Sequence, residues 1–313
     1  MRKTLLFTAL LSLPPMLPAE TVRSLDKVRG QIESKEIAKE YEYEMGGKSK
    51  PDGFGYLGRA DKGVKEILSL LAPGAKLENI GQISLKEWTD GRYIAVVCQN
   101  AEAIEGMPWT GKTRYDECQS QYSPKGENPV GKITIALLKR DTAGKLALAA
   151  EPYSEQYDYK DEKDSQYRGE PENPQNKQFT LKNHMGNPVV GDLDRLDFAN
   201  YKLNDNDTAF GVRYIARVMY SGGGAFNQAV TLFAVIDGKL KPVFKSPTYQ
   251  FADIAGDWNK DGTRQHDVDS AEYVLSMGKG RHDGFNDIVW RQAKAKRPEQ
   301  KTYRWDAKSR YYK

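Results

Sequence analysis

The sequence predicts an α+β protein that is mainly β, built from two antiparallel-sheet domains behind a short N-terminal helical region. Helical spacing of apolar residues is clear only over Asp61–Leu71, where Val64, Ile67, Leu68 and Leu71 share one face. From about residue 81 the period changes to two, in short runs separated by Gly, Asp and Pro turns. The 18 tyrosines suit strands with one wet face better than a helical bundle.

Residues 1–19 read as a secretory signal peptide. Arg2 and Lys3 precede the apolar run Leu5–Leu13, and Ala19 supplies the small residue at a cleavage point before Glu20. The run has nine residues, whereas a bilayer-spanning helix needs roughly 20, so the expectation is export to the periplasm or beyond, with no membrane span. Export also bears on charge. The chain carries 47 basic and 43 acidic side chains, and losing Arg2 and Lys3 leaves 45 and 43. That balance, with no Lys/Arg stripe, argues against nucleic acid as a partner.

The expected domain plan is a signal at 1–19, a helical lead-in and first β domain at 20–150, a polar loop or linker at 151–183 and a C-terminal β-rich domain at 184–313. Thr21–Glu44 reads as a solvated lead-in, and the glycines around Pro51 interrupt it. Asp61 can cap the helix that follows, and Pro73-Gly74 stops it. Ile83–Trp88 with Arg92–Gln99, then Lys132–Leu138 with Lys145–Ala150, read as hairpins. Residues 151–183 have almost no aliphatic side chains. Strand text then resumes at Leu193 and runs through Thr208–Tyr220, Gln228–Ile236, Lys239–Lys245, Glu272–Met277, Asn286–Arg291 and Thr302–Trp305.

An internal duplication is suggested by short matches kept in order. Arg92-Tyr93-Ile94-Ala95 recurs as Arg213-Tyr214-Ile215-Ala216, Ile133-Thr134-Ile135-Ala136 as Val230-Thr231-Leu232-Phe233, Gly144-Lys145-Leu146 as Gly238-Lys239-Leu240, and Pro152-Tyr153 echoes Pro247-Thr248-Tyr249. The first copy carries an insertion from Asn100 to Val130 that holds Cys118 beyond Cys98. Two exported thiols are expected to pair, and Cys98–Cys118 is the expected disulfide.

Asp257-Trp258-Asn259-Lys260-Asp261-Gly262-Thr263 has the spacing of a Ca²⁺ loop, with Asp257, Asn259, Asp261 and Thr263 as candidate ligands. The twelfth position, where a closing Glu is normal, is Val268, and the alternative reading is a solvated turn. Calcium is the one cofactor this spacing admits. His184, His266 and His282 fall in no metalloprotease motif, and the chain holds no nucleophile elbow, P-loop or dinucleotide fingerprint. Gly222-Gly223-Gly224 reads as a flexible loop between strands, and Tyr303–Asp306 with Tyr311-Tyr312 as a terminal aromatic strand.

The run from these glycines through Asp237-Gly238-Lys239-Leu240, Asp261-Gly262-Thr263-Arg264, Gly284-Phe285-Asn286-Asp287 and Tyr303-Arg304-Trp305-Asp306 resembles uncharacterised exported bacterial proteins over about the last 100 residues. The resemblance implies an exported β-rich domain and no particular chemistry.

The functional expectation is a non-enzymatic periplasmic protein that binds a protein partner, as an inhibitor or immunity-type protein or an envelope assembly factor. Trp109 and Tyr115, amphipathic aromatics in the cysteine-pinned insertion, are the candidate contacts. The alternatives are a hydrolase acting on envelope polymers through unmarked carboxylates and a calcium-dependent glycan-binding module.

Overall fold

The computed structural model describes residues 57, 61–89, 91–101, 118, 130–157, 177–182, 188–220, 223–262 and 264–313. The expected signal peptide lies outside them. The mainly β architecture agrees with the sequence: among the described residues one α-helix, α1 (Lys62–Leu71), precedes sixteen strands, β1 to β16. Sheet A joins β1 (Ile80–Glu87), β2 (Arg92–Asn100), β3 (Val130–Arg140) and β4 (Leu146–Leu148), with β5 (Tyr153–Gln156) also on β3. Sheet B runs β14-β13-β12-β11-β10-β9-β8, a meander from β8 (Asp192–Lys202) to β14 (Gln300–Tyr303). Two small ribbons complete it, β6 (Thr180–Lys182) with β7 (Pro188–Val190) and β15 (Trp305–Asp306) with β16 (Tyr311–Tyr312).

Alternation in β2 and β3 splits sheet A into two buried faces. Ala95, Val97, Ala136 and Leu138 meet Val64, Ile67 and Leu71 of α1, the stripe read from the sequence. Ile94, Val96, Ile133, Ile135 and Leu137 point the other way, into a core shared with Leu196, Phe210, Val212, Tyr214 and Phe233 of sheet B. The helix start departs from expectation in one respect: the Asp61 side chain makes no capping hydrogen bond, and its carbonyl accepts from Val64 N at 3.1 Å instead.

Sheet B is buried on both faces along β10 (Gly223–Ile236), which explains its unbroken apolar run Leu232–Ile236. Phe233 enters the core shared with sheet A, whereas Val230, Leu232, Ala234 and Ile236 enter a second core with Phe244, Ile288, Trp305 and Tyr312. Curling of the sheet closes that second core: Asn286 N donates to Leu203 O at 2.6 Å, so β13 (Phe285–Gln292) returns to the end of β8. Two hairpins use the Asp-Gly turns that suit this twist. Asp237-Gly238 has φ of 53° and 74°, and Asp283-Gly284 has 49° and 84°.

Two strands are much longer than the sequence suggested. β11 runs Lys239–Trp258 and β12 runs Arg264–His282. Pro242 and Pro247 stay in β11 because each sits beside a register shift, at Leu232/Phe233 and at Gln228/Ala229 of β10, where a missing ladder donor costs least.

The sheets change over within 151–183, but both described ends of that stretch are built into the fold. Tyr157 and Phe179 are buried. Glu151 is tied to sheet B by Leu240 N to Glu151 O at 2.8 Å, with an ion pair to Lys239 at 2.7 Å. Residues 158–176 are outside the described residues.

The internal matches share a meander but not a register. Arg213 lies directly across from Val230, whereas Arg92 lies across from Lys139 and Ile133 across from Cys98. Likewise Ile135 pairs with Tyr153 while Leu232 pairs with Phe244, not with the Pro247–Tyr249 echo. The tetrapeptides are recurrent strand text set at different depths of two similar sheets.

Candidate functional site

Cys98 and Cys118 are disulfide-bonded, with Cα atoms 5.6 Å apart, and both are buried in the shared core. Trp109 and Tyr115, the expected partner contacts, lie outside the described residues. So does Thr263. Asp257, Asn259 and Asp261 sit at the tip of the β11–β12 hairpin, where Gly262 N donates to Asn259 O at 3.1 Å and Gly262 adopts φ of 83°. Strands, not helices, flank this turn, and among the described residues no three His, Cys, Asp or Glu stand together as a metal set. The two described histidines ignore the aspartates next to them in sequence. His266 Nδ1 is 2.7 Å from Asp253 Oδ1, and His282 Nδ1 is 2.6 Å from Asp287 Oδ1.

The hairpin itself is the most exposed regular element described. β10 accompanies β11 only as far as Asp253, opposite Gly224, and β13 joins β12 only at Tyr273, opposite Gln292. Among the described residues, His266–Ala271 therefore has a ladder partner on the β11 side alone, since Glu272 O already accepts from Ala293 N at 2.7 Å. Trp258, Val268 and Ile254 are 69%, 58% and 57% exposed. Pairing of Trp258 with Arg264 and of Val268 with Asp253 puts the Trp and Val on one face, and Ile254 shares the other with Asp267. The Arg264 guanidinium lies 5.5 Å from the Trp258 ring centroid. Asp253, Asp257, Asp261, Asp267, Asp269 and Glu272 outnumber Lys260 and Arg264, so the ribbon is acidic on a chain whose net charge is positive.

A second site lies where β11 passes under the segment 177–182. Lys245 Nζ donates to Lys177 O at 3.1 Å and to Thr180 O at 2.7 Å, and sits 5.8 Å from the Tyr214 ring centroid. Burial lowers its pKa to about 8, against an opposing pull from the Glu155 carboxylate. Glu155 is 5% exposed; it accepts from Tyr153 OH, from Tyr157 OH at 2.5 Å and from Gln178 N at 2.8 Å. Burial, reinforced by Glu155, drives the Tyr153 phenol far up, and burial does the same to Tyr214. Beside Lys245 opens a cavity of about 480 Å³ lined by Thr180, Leu181, Ala229, Ser246, Pro247 and Tyr311, among others.

No family model, curated protein or solved structure matches the chain. The two sites therefore rest on their own geometry. Among the described residues no helix is long and apolar enough to cross a membrane. Sequence reasoning missed both. The Asp/Asn spacing drew attention to the hairpin tip, but its signal was the density of Asp flanking Trp258. For Lys245, which the sequence shows only as the end of a strand-like run, nothing local indicates that a distant segment covers it.

Proposed function

We propose that this is an exported, non-enzymatic protein that binds a protein partner, and that the β11–β12 ribbon is the surface that partner meets. The signal-like residues 1–19 and the disulfide support export. One observation carries the binding reading: an acidic ribbon whose edge over His266–Ala271 is open among the described residues displays Trp258, Val268 and Ile254 to solvent. Charges on an edge strand commonly serve only to prevent aggregation. An edge protected for that purpose alone gains nothing from three exposed large apolar groups. The occupant that fits is an extended segment rich in Lys or Arg, added as a strand beside β12, its backbone completing the ladder and its cations meeting Asp267 and Asp269. A second copy of this chain fits poorly, because antiparallel pairing about Val268 sets Asp267 against Asp269 of the other copy.

Fluorescence anisotropy with a labelled alternating Lys-Thr decapeptide and its Glu-Thr counterpart tests this. The expected result is saturable binding of the Lys-Thr peptide alone, weakened about tenfold or more by Trp258→Ala and by Asp267→Asn with Asp269→Asn. Equal binding of both peptides, or indifference to these substitutions, overturns the assignment.

A further inference from the structure

We infer that the cavity beside Lys245 is a binding site for a small monocarboxylate carried on an apolar frame. This site is separate from the ribbon and stands independently of it. An ammonium has three N–H donors. Two of those on Lys245 go to Lys177 O and Thr180 O, and no described residue accepts the third. Thr180 is 8% exposed, lines the same cavity, and its hydroxyl has no hydrogen-bond partner. Lys245 and Thr180 thus both line a cavity whose apolar wall comes from Leu181, Ala229 and Pro247, the combination of a few polar groups in an apolar cleft that small-ligand sites share. Its volume of about 480 Å³ is in the range of such sites.

The charge of the site selects the ligand class. Lys245 is the only cation lining the cavity among the described residues. The other titratable groups facing it are Glu155 from β5, Tyr214 from β9 and Tyr311 from the β15–β16 ribbon. Glu155 is acidic, and Tyr311, its phenol pushed up to about 12 by burial, stays neutral. The Glu155 carboxylate is held by three donors of its own, from Tyr153, Tyr157 and Gln178 N, and makes no ion pair with Lys245. A monocarboxylate therefore brings one further negative charge to the ammonium, whereas a phosphate dianion would bring two into a partly desolvated cleft. The simplest role for Lys245 is as a clamp on the 177–180 segment. That role uses two of its donors and accounts for neither the cavity nor the idle Thr180 hydroxyl.

Calorimetric titration of the full chain with benzoate and hexanoate, their amides and inorganic phosphate is the test. The carboxylates are expected to bind, and the amides and phosphate at least tenfold more weakly. Because the ammonium form is lost as pH rises through about 8, carboxylate affinity should fall between pH 7 and 9.5. Lys245→Met should abolish the preference for carboxylate over amide, with the melting transition confirming that the variant folds. No carboxylate binding, equal affinity for acid and amide, or an affinity flat across that pH range each overturns the inference.

Discussion

Replacing Lys245 by Met should change how stability depends on pH, in a direction fixed by burial. In the unfolded chain the ammonium has a pKa of about 10.4. In the fold it is lowered to about 8. Between these values the unfolded state holds the extra proton, so raising pH favours the fold. At pH 7 the group is charged in both states and its full penalty is present, about 3 kcal/mol at ~1.4 kcal/mol per unit. At pH 9.5 most of that is gone, leaving about 1 kcal/mol. Wild type should therefore gain about 2 kcal/mol relative to Lys245→Met between pH 7 and pH 9.5. The raised phenols of Tyr153, Tyr201, Tyr214 and Tyr312 have the opposite effect above their unfolded pKa, since the unfolded chain then releases their protons first. They are common to both proteins and cancel in the difference. Urea unfolding of the two proteins across this range is the assay. A difference that is flat, or that grows in favour of the variant as pH rises, would refute the assignment of Lys245 as a buried ammonium.

Phe233→Ala should cost about 3–5 kcal/mol in denaturant unfolding, because the ring is fully buried and lies within 5.1 to 6.1 Å of Tyr153, Phe210 and Phe179 across the inter-sheet core. A cost under 1 kcal/mol would mean that the two sheets do not share that core. Replacing Cys98 and Cys118 together by Ser should lower stability by roughly 3 kcal/mol through the freed loop alone. Labelling of the purified protein under denaturing conditions should find no free thiol, and two reactive thiols would contradict the bond.

Where local text and tertiary environment agreed, the sequence was readable. The Val64, Ile67 and Leu71 stripe faces sheet A as its spacing requires, and Asp237-Gly238 makes the tight hairpin its composition favours. The cysteine pair followed from compartment chemistry rather than from spacing. Other features depend on what arrives from far along the chain. β11 reads as ending near Lys245 because Pro247 and a polar stretch follow, and only the bulges in its pairing with β10 show how the strand continues. Phe179 and Tyr157 anchor a segment that reads as linker because each sits in mostly polar text, and one buried ring leaves no periodic trace. The Lys245 cavity is invisible for the same reason: it is made by β11 together with a segment more than 60 positions earlier in the chain.

The length of β11 gives the molecule an uneven mechanical character. At about 3.3 Å per residue, its 20 residues form one continuous rod roughly 65 Å long. The first part is locked between two cores, and the last projects into water with a single neighbour. Opening of such a strand is graded, with amides near Trp258 exchanging through local fraying and those near Phe244 only when the whole sheet lets go. A molecule gripping the tip would thus find a compliant spring on a stiff mount, able to settle around its guest while the cores stay in place.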